Sequence, residues 1–286
     1  MKNIGIIGCG AMGKGIAKNL VNKGYKVFAY DRNQSVLEKC VELGVHPENS
    51  PFEVGEKTEL VITSLPGPSI VEEVLLGENG VYSSIKPGSF VLDMSTIDPK
   101  TAKNLYKKAK DKDIHFFDCP LSGGPKGADQ GNLTIMVGGD EEYLADINPV
   151  LESVGKDIFV LGSSGSGQVA KLCHNMLVAS ITAGLGEAFA VGEKAGISRA
   201  QLADVIQSGS AHNRVLSVFG ENILENTYGN VLFSLSHMNK DIHLFTETAK
   251  HFNQDSPIGI LVSNIYQKAI DQGKGELDTS AVCQSV

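Results

Sequence analysis

Positive charge is scarce in this sequence. Its 286 residues include 25 Lys and Arg against 33 Asp and Glu, which gives a formal net charge of -8 and a pI near 5.4. Nucleic acids and anionic membrane surfaces are held mainly through Lys and Arg. The charge balance therefore argues against both as partners and leaves room for a small anionic ligand at a local basic site.

Uninterrupted hydrophobic runs are absent as well. Glycine recurs within the first 13 residues and breaks the apolar core that a signal peptide needs. The most apolar stretch, residues 176–192, is short for a membrane span and contains Glu187. We therefore expect no export signal, no membrane partner and a cytoplasmic location, with residues 176–192 forming a helix buried within protein.

Cysteine is too sparse to form a disulfide framework. The five cysteines are widely spaced, with no CxxC and no paired Cys/His pattern. An odd number at such spacing favours neither disulfides nor a zinc site. We predict free thiols and no metal.

The first part of the chain carries an alternating pattern. Up to about residue 161, short runs rich in Val, Ile and Phe alternate with amphipathic segments typical of helices. This rhythm predicts an α/β Rossmann domain with a mostly parallel sheet flanked by helices. The predicted strand runs are NIGII, KVFAY, LVITSL, FVLDM, HFFDC, LTIMV and IFVL.

After the glycine- and serine-rich residues 162–167, the strand patterns stop. Helical patterns follow over residues 168–194, 199–207, 214–224, 239–252 and 258–272. We predict a dinucleotide-binding domain over residues 1–162 and an all-α domain for substrate and oligomerisation over residues 163–286. Because the 176–192 helix is apolar on more than one face, we also expect a homodimer or homotetramer.

A glycine-rich turn predicts the cofactor. Residues 8–13 read GxGxxG, directly after the run NIGII and at the start of a helical pattern. Gly8 permits the tight turn, Gly10 lets the backbone approach a pyrophosphate, and Gly13 allows close helix packing. The helix amino terminus offers N–H groups to the anion. The predicted cofactor-binding positions are Gly8, Cys9, Gly10, Ala11, Met12 and Gly13.

The residues after the second strand bear on cofactor choice. Asp31 follows KVFAY, where a carboxylate accepts hydrogen bonds from a ribose and repels a 2′-phosphate, which favours NAD. Arg32 could instead pair with a 2′-phosphate and admit NADP. Cys9 has two interpretations: a thiol acidified at a helix start, or a small side chain tolerated in the loop. We favour the second.

A second group of residues suggests proton chemistry. In GSGQVAKLCHNML, Lys171 and Asn175 are four residues apart and share one helix face, which we expect to point towards a cleft between the domains. A lysine there could protonate an alkoxide or accept an alcohol proton. Asn175 could hold the reacting oxygen. Taken alone, a lysine such as Lys171 is more often a solvated helix residue.

The motifs together strongly resemble the β-hydroxyacid dehydrogenases. This family includes 3-hydroxyisobutyrate dehydrogenases, tartronate semialdehyde reductases, succinic semialdehyde reductases and 6-phosphogluconate dehydrogenases. The resemblance spans nearly the whole chain. It depends on GIIGCGAMG, on DCPLSGG with its continuation PKGADQGNLTIMVGG, on GSGQVAKLCHN and on MNKD at residues 238–241.

The resemblance implies roles for individual residues. It makes Lys171 the general acid/base, with Asn175 and the loop of Ser122, Gly123 and Gly124 holding the substrate's oxygen and carboxylate. It also implies that the cofactor is lined by Leu65, Pro66, Thr96 and Lys240. The implied reaction is hydride transfer between NAD(P) and a small 3-hydroxy acid or its semialdehyde, without metal.

Two alternatives stay open. His174 is a candidate for substrate contact. With His174, the segment KLCHN resembles the corresponding motif of 6-phosphogluconate dehydrogenase, which suggests a sugar acid substrate. Against this, the chain is short for such an enzyme and has only three arginines, Arg32, Arg199 and Arg214, to bind a phosphate. A non-catalytic dinucleotide sensor is the second alternative. The glycine loop at residues 122–124 could likewise be an ordinary turn.

Overall fold

The computed structural model describes all residues, Met1–Val286. It confirms an α/β Rossmann fold followed by an all-α part. The chain divides into two compact units, Met1–Lys171 and Leu172–Val286, and the division lies within a helix.

The main sheet has six parallel strands in the order β3-β2-β1-β4-β5-β6. The order reverses between β1 and β4, the switch point where such sheets bind ligands. The strands are β1 Asn3–Ile7, β2 Lys26–Tyr30, β3 His46–Pro47, β4 Leu60–Thr63, β5 Phe90–Asp93 and β6 His115–Asp118.

Both faces of this sheet are buried. On β4, Leu60 and Ile62 belong to one hydrophobic cluster while Val61 belongs to another. Successive strand residues point to opposite faces, so each face has its own core. The covering helices are α1 Ala11–Asn22, α2 Gln34–Val41, α3 Pro51–Lys57, α4 Pro68–Leu76, α5 Pro99–Lys110, α6 Gly124–Gln130 and α7 Leu144–Val154.

A second, three-stranded sheet was not expected. It has the order β7-β8-β9, with β7 Leu121–Ser122 antiparallel and β9 Gly155–Val160 parallel to β8 Leu133–Val137. Five of the predicted strand runs form the main sheet, whereas LTIMV and IFVL lie here. Both β3 and β7 were missed because two residues are too few to show a period.

The second unit is helical. Its helices are α8 Ser166–Lys194, α9 Arg199–Ser208, α10 Arg214–Glu225, α11 Leu235–His251 and α12 Pro257–Asp271. The start of α11 was predicted four residues too late, because Ser234 caps the helix by accepting the N–H of His237. Of these helices only α8 is long and apolar enough to cross a membrane, a test that buried helices of soluble proteins also pass.

Candidate functional site

The turn between β1 and α1 is shaped for close backbone approach. Gly8 has φ +93°, and a Cβ there would collide with the Ser64 carbonyl oxygen. A Cβ on Gly13 would overlap the Gly8 carbonyl oxygen, whereas a Cβ on Gly10 would meet nothing within 4 Å. Gly8 and Gly13 are therefore required by the protein itself. Gly10 borders open space, as a phosphate-binding turn requires.

The first turn of α1 is open to an anion. Its N-cap is Gly10, without a side-chain cap, and the turn carries no acidic residue. These N–H groups and the helix dipole favour a negative ligand. The site therefore fits a dinucleotide pyrophosphate.

Asp31 lies beside this turn. Its carboxylate accepts the Cys9 N–H over 2.7 Å and the Asn33 N–H over 2.8 Å. It thereby ties the end of β2 to the glycine turn. A carboxylate has about four acceptor positions, so these bonds leave capacity for ribose hydroxyls. Arg32, next in the chain, is exposed.

Cys9 is a buried thiol. The hydrogen bond with the Cys40 thiol, burial and the nearby Asp31 carboxylate raise the pKa of Cys9. This direction favours its interpretation as a small side chain in the turn over that of an acidified, reactive thiol. All five cysteines are free, and no group of three potential metal ligands occurs.

Other cofactor candidates lie at the same edge of the main sheet. Leu65 and Pro66 follow β4, and Thr96 follows β5. The Leu65 N–H donates to Ser95 Oγ over 2.9 Å, which joins the two loops. Parallel strands end at one edge, so the sheet brings these loops towards the glycine turn.

The predicted substrate loop joins β7 to α6. Gly123 and Gly124 have φ +130° and +62°, a conformation that glycine adopts without strain. Ser122 ends β7 and is partly exposed. Helix α6 packs against α1, and Lys18 on α1 pairs with Asp129 on α6 over 2.6 Å. The loop therefore precedes a helix anchored to the one that begins at the glycine turn.

Lys171 is not a solvated helix lysine. The residue is only 7% exposed on α8. A lysine is rarely buried without a specific role, so the structure argues against the simpler interpretation. Asn175 lies one turn further along the same helix and is also buried.

A polar cluster surrounds Asn175. Its Nδ2 donates to Asp241 Oδ2 over 2.6 Å, and its Oδ1 lies 2.9 Å from His174 Nδ1. Asp241 Oδ1 is 2.7 Å from Lys240 Nζ. The second unit thus brings together three predicted site residues, His174, Asn175 and Lys240, around one buried carboxylate. Asp241 was assigned no role from sequence, although it lies in the MNKD motif.

Two more buried carboxyls lie where β5 and β6 end. Asp93 and Asp118 are register partners on neighbouring strands. Burial raises the pKa of each to about 6, opposed at Asp93 by hydrogen bonds from Ser95 and Thr63 and at Asp118 by those from Gly165 and Gln168. Neither residue was assigned a role from sequence. Only their place in the DMSTI and DCPLSGG motifs marks them.

Two family models match this chain. Residues 3–162 match the family model of the NAD-binding domain of 6-phosphogluconate dehydrogenase. Residues 165–286 match the model of the NAD-binding region of NADP-dependent 3-hydroxyisobutyrate dehydrogenase.

Individual relatives match over nearly their whole length. An NAD-dependent L-serine dehydrogenase of Pseudomonas aeruginosa is 35% identical over 99% of this chain and 97% of its own. Mouse mitochondrial 3-hydroxyisobutyrate dehydrogenase is 36% identical over 98% of this chain and 86% of its own. The solved Mycobacterium tuberculosis 3-hydroxyisobutyrate dehydrogenase with L-serine is 31% identical, with a TM-score of 0.91 over 100% of this chain and 99% of its own.

The glycine turn, the Rossmann sheet and these matches define an NAD(P)-dependent dehydrogenase that acts on CH–OH groups. The chain belongs to the β-hydroxyacid dehydrogenase family, as its motifs predicted.

Proposed function

We propose that the protein oxidises, or forms in the reverse direction, a small acid of the type HO–CH2–CHR–COO⁻. The observation that carries this proposal is the buried Lys171, one helical turn from the Asn175–Asp241 pair. A buried lysine amine beside a fixed amide can bind an alcohol oxygen, accept its proton when neutral and donate a proton when charged.

Lys171 is the proposed general acid/base. With NAD⁺ or NADP⁺ bound, the nicotinamide would supply the acceptor for the hydride that leaves the carbinol carbon, and the neutral amine of Lys171 would take the hydroxyl proton as the C=O bond forms. In reduction, Lys171 returns that proton to the developing alkoxide. One proton and one hydride leave the alcohol, so the alcohol is oxidised to an aldehyde as the nicotinamide is reduced.

Asn175 is the proposed oxygen-holding group. An amide nitrogen has two N–H donors, and Asp241 receives one of them. The other can bind the reacting oxygen. Because Asp241 and His174 engage both ends of the amide, its orientation is fixed before substrate arrives, which lowers the entropic cost of the reaction.

The carboxylate is assigned to the loop of Ser122, Gly123 and Gly124, and His174 is a further substrate contact. Main-chain N–H groups in such glycine turns suit an anion. Relatives named for 3-hydroxyisobutyrate, L-serine and 2-(hydroxymethyl)glutarate support the general formula, since each compound has a CH2OH group on the carbon that bears a carboxylate. These compounds differ only in R.

The dinucleotide is assigned to residues 8–13 and Asp31, with Leu65, Pro66, Thr96 and Lys240 as further lining. We propose NAD as the preferred form because Asp31 repels a 2′-phosphate, with NADP possible through Arg32. In this scheme residues 1–162 hold the cofactor, residues 163–286 serve substrate and oligomerisation, and the protein is cytoplasmic.

A substrate panel tests the proposal. Hydroxy acids and semialdehydes of this type are assayed with NAD(H) and NADP(H), alongside 6-phosphogluconate, for wild type and Lys171→Met. We expect turnover of the short acids and a loss of about 10²- to 10⁴-fold in kcat for the variant, with NADH binding retained. Activity confined to the phosphorylated sugar acid would favour the 6-phosphogluconate-like alternative, and no turnover at all would favour a sensor.

We also propose a homo-oligomer, with α8 contributing to the interface. Leu177 and Val191 are 57% and 70% exposed, and Gly184 and Ala188 on the same stripe are exposed too. A two-fold axis at Gly184 would place Leu177 against Val191 of the partner subunit, so the stripe is self-complementary. Sedimentation should give a dimer or tetramer that Val191→Glu weakens, and a monomeric wild type would disprove this.

A further inference from the structure

Gln168 makes an unusual pair of contacts. Its fully buried side chain donates from Nε2 to the Ser95 carbonyl oxygen over 2.9 Å. Its Oε1 accepts the Ile97 N–H over 3.0 Å. One amide thus binds the backbone on both sides of Thr96.

The same residue is fixed through its own backbone. The Gln168 N–H donates to Asp118 Oδ2 over 3.0 Å, and the Gly165 N–H donates to Asp118 Oδ1 over 2.7 Å. Asp118 therefore satisfies two of the N–H groups at the start of α8, groups that no earlier turn of the helix can satisfy. This fixes the first turn of α8 to the end of β6.

We propose that Gln168 is a positioning residue for catalysis. It couples the Thr96 loop, assigned above to the cofactor, to the helical turn that carries Lys171 three residues later. The proposal rests on the proposed roles of Thr96 and Lys171. It assigns to Gln168 no contact with substrate or cofactor.

An amide is needed because the two partners are complementary. Ser95 offers an acceptor and Ile97 a donor, so the bridging group must supply one of each. Leaving either backbone group unsatisfied in a buried site is unfavourable and would displace the loop. A displacement of about 1 Å at a catalytic group can cost about 10²-fold in rate.

Gln168→Glu provides the sharpest test. A protonated carboxyl has one donor and one acceptor and reproduces both bonds, whereas a carboxylate cannot donate to Ser95. Burial raises the pKa of such a carboxyl. The charged groups near it are Asp118 and Asp93, Lys103 beside Gly165, and Lys171 on the same helix.

We expect a pH-dependent defect. Divided by the wild-type value at each pH, kcat of Gln168→Glu should approach one near about pH 6 and fall by about 10²-fold near about pH 8.5. Gln168→Met, uncharged and of similar length, should be impaired at every pH. NADH affinity should stay within about threefold in both, since residues 8–13 and Asp31 are unchanged.

Asn222→Asp is a matched control. Asn222 is a buried amide on α10 that donates to the Asn230 carbonyl oxygen over 2.8 Å and accepts from Thr227 Oγ1 over 3.1 Å. Its replacement should lower Tm but leave the pH profile of kcat as in wild type. A general loss of packing would therefore affect both variants alike, whereas loss of positioning affects only Gln168→Glu.

Three results would overturn the proposal: wild-type kcat for Gln168→Glu at about pH 8.5, a defect that does not change with pH, or a profile shared with Asn222→Asp. If Gln168→Glu fails to fold, wild-type kcat in Gln168→Met is decisive against it. Lys171→Met distinguishes a failure of the proposed function from a failure of the role proposed for Gln168. An active Lys171→Met would overturn the proposed function, whereas an inactive one beside fully active Gln168 variants would overturn only the role of Gln168.

Discussion

The Asn175 side chain donates a hydrogen bond of 2.6 Å to the Asp241 carboxylate, and both residues are buried. A carboxylate at 1% exposure is costly unless its charge is compensated, and Asp241 has a hydrogen bond from Asn175 on one oxygen and an ion pair with Lys240 on the other. The carboxylate therefore fixes two site candidates from α8 and α11 at once. This makes Asp241 a support for the site rather than a reacting group.

Replacing this carboxylate should reduce turnover without abolishing the fold. In Asp241→Asn, the ion pair with Lys240 is lost and the amide of Asn175 loses its charged acceptor. We expect kcat/KM to fall by about 10- to 100-fold, the usual effect of removing a group that orients a reacting residue. Steady-state kinetics and circular dichroism would measure both properties. Asp255→Asn, at an exposed position, is the control, and equal kcat/KM in the two variants would contradict the role of Asp241.

The glycine turn offers a matched pair of substitutions. Gly13→Ala places a Cβ on the Gly8 carbonyl oxygen and should lower Tm clearly, whereas Gly10→Ala meets no protein atom within 4 Å and should leave Tm unchanged. If the pyrophosphate binds there, the Gly10 methyl should raise the Kd for NADH by about tenfold or more. Thermal melts and NADH fluorescence titration measure the two effects. Unchanged NADH affinity in Gly10→Ala would place the dinucleotide elsewhere.

Cofactor choice can be separated at two neighbouring residues. Asp31→Asn retains an acceptor for the Cys9 N–H but removes the charge that repels a 2′-phosphate. The ratio of the Kd for NADPH to that for NADH should therefore fall by about tenfold or more. Arg32→Ala tests the opposite possibility and should weaken NADPH alone if the guanidinium binds the phosphate. A ratio unaffected by either change would show that other residues select the cofactor.

Local sequence patterns predicted five of the six strands of the main sheet and the glycine turn, because buried parallel strands and a strand–turn–helix junction are encoded over a few consecutive residues. The contacts that organise the candidate site are different in kind. Asn175 and Asp241 are separated by 66 residues, and Gln168 and Ser95 by 73. Such pairs depend on the tertiary arrangement of elements, which no periodicity reveals. The short β7 was missed for the same reason, since its pairing with β8 alone defines it.

The buried Asp93 carboxyl should make stability depend on pH. Burial raises its pKa from 3.8 to about 6, and its Oδ2 has no hydrogen-bond partner. Between about pH 4 and about pH 6 the folded state then binds more protons at this residue than the unfolded state does, so its contribution to stability falls as pH rises through that window and stays low above it. Asn at this position cannot ionise. The free energy of unfolding of Asp93→Asn minus that of wild type should therefore increase by up to about 3 kcal/mol between about pH 4 and about pH 8, which means that the variant becomes more stable relative to wild type. The new amide adds a difference in stability that does not change with pH. Urea denaturation at several pH values measures this difference. Asp255→Asn, exposed, should follow wild type throughout, and curves for Asp93→Asn that run parallel to wild type would show that the carboxyl ionises as freely in the fold as in the unfolded chain.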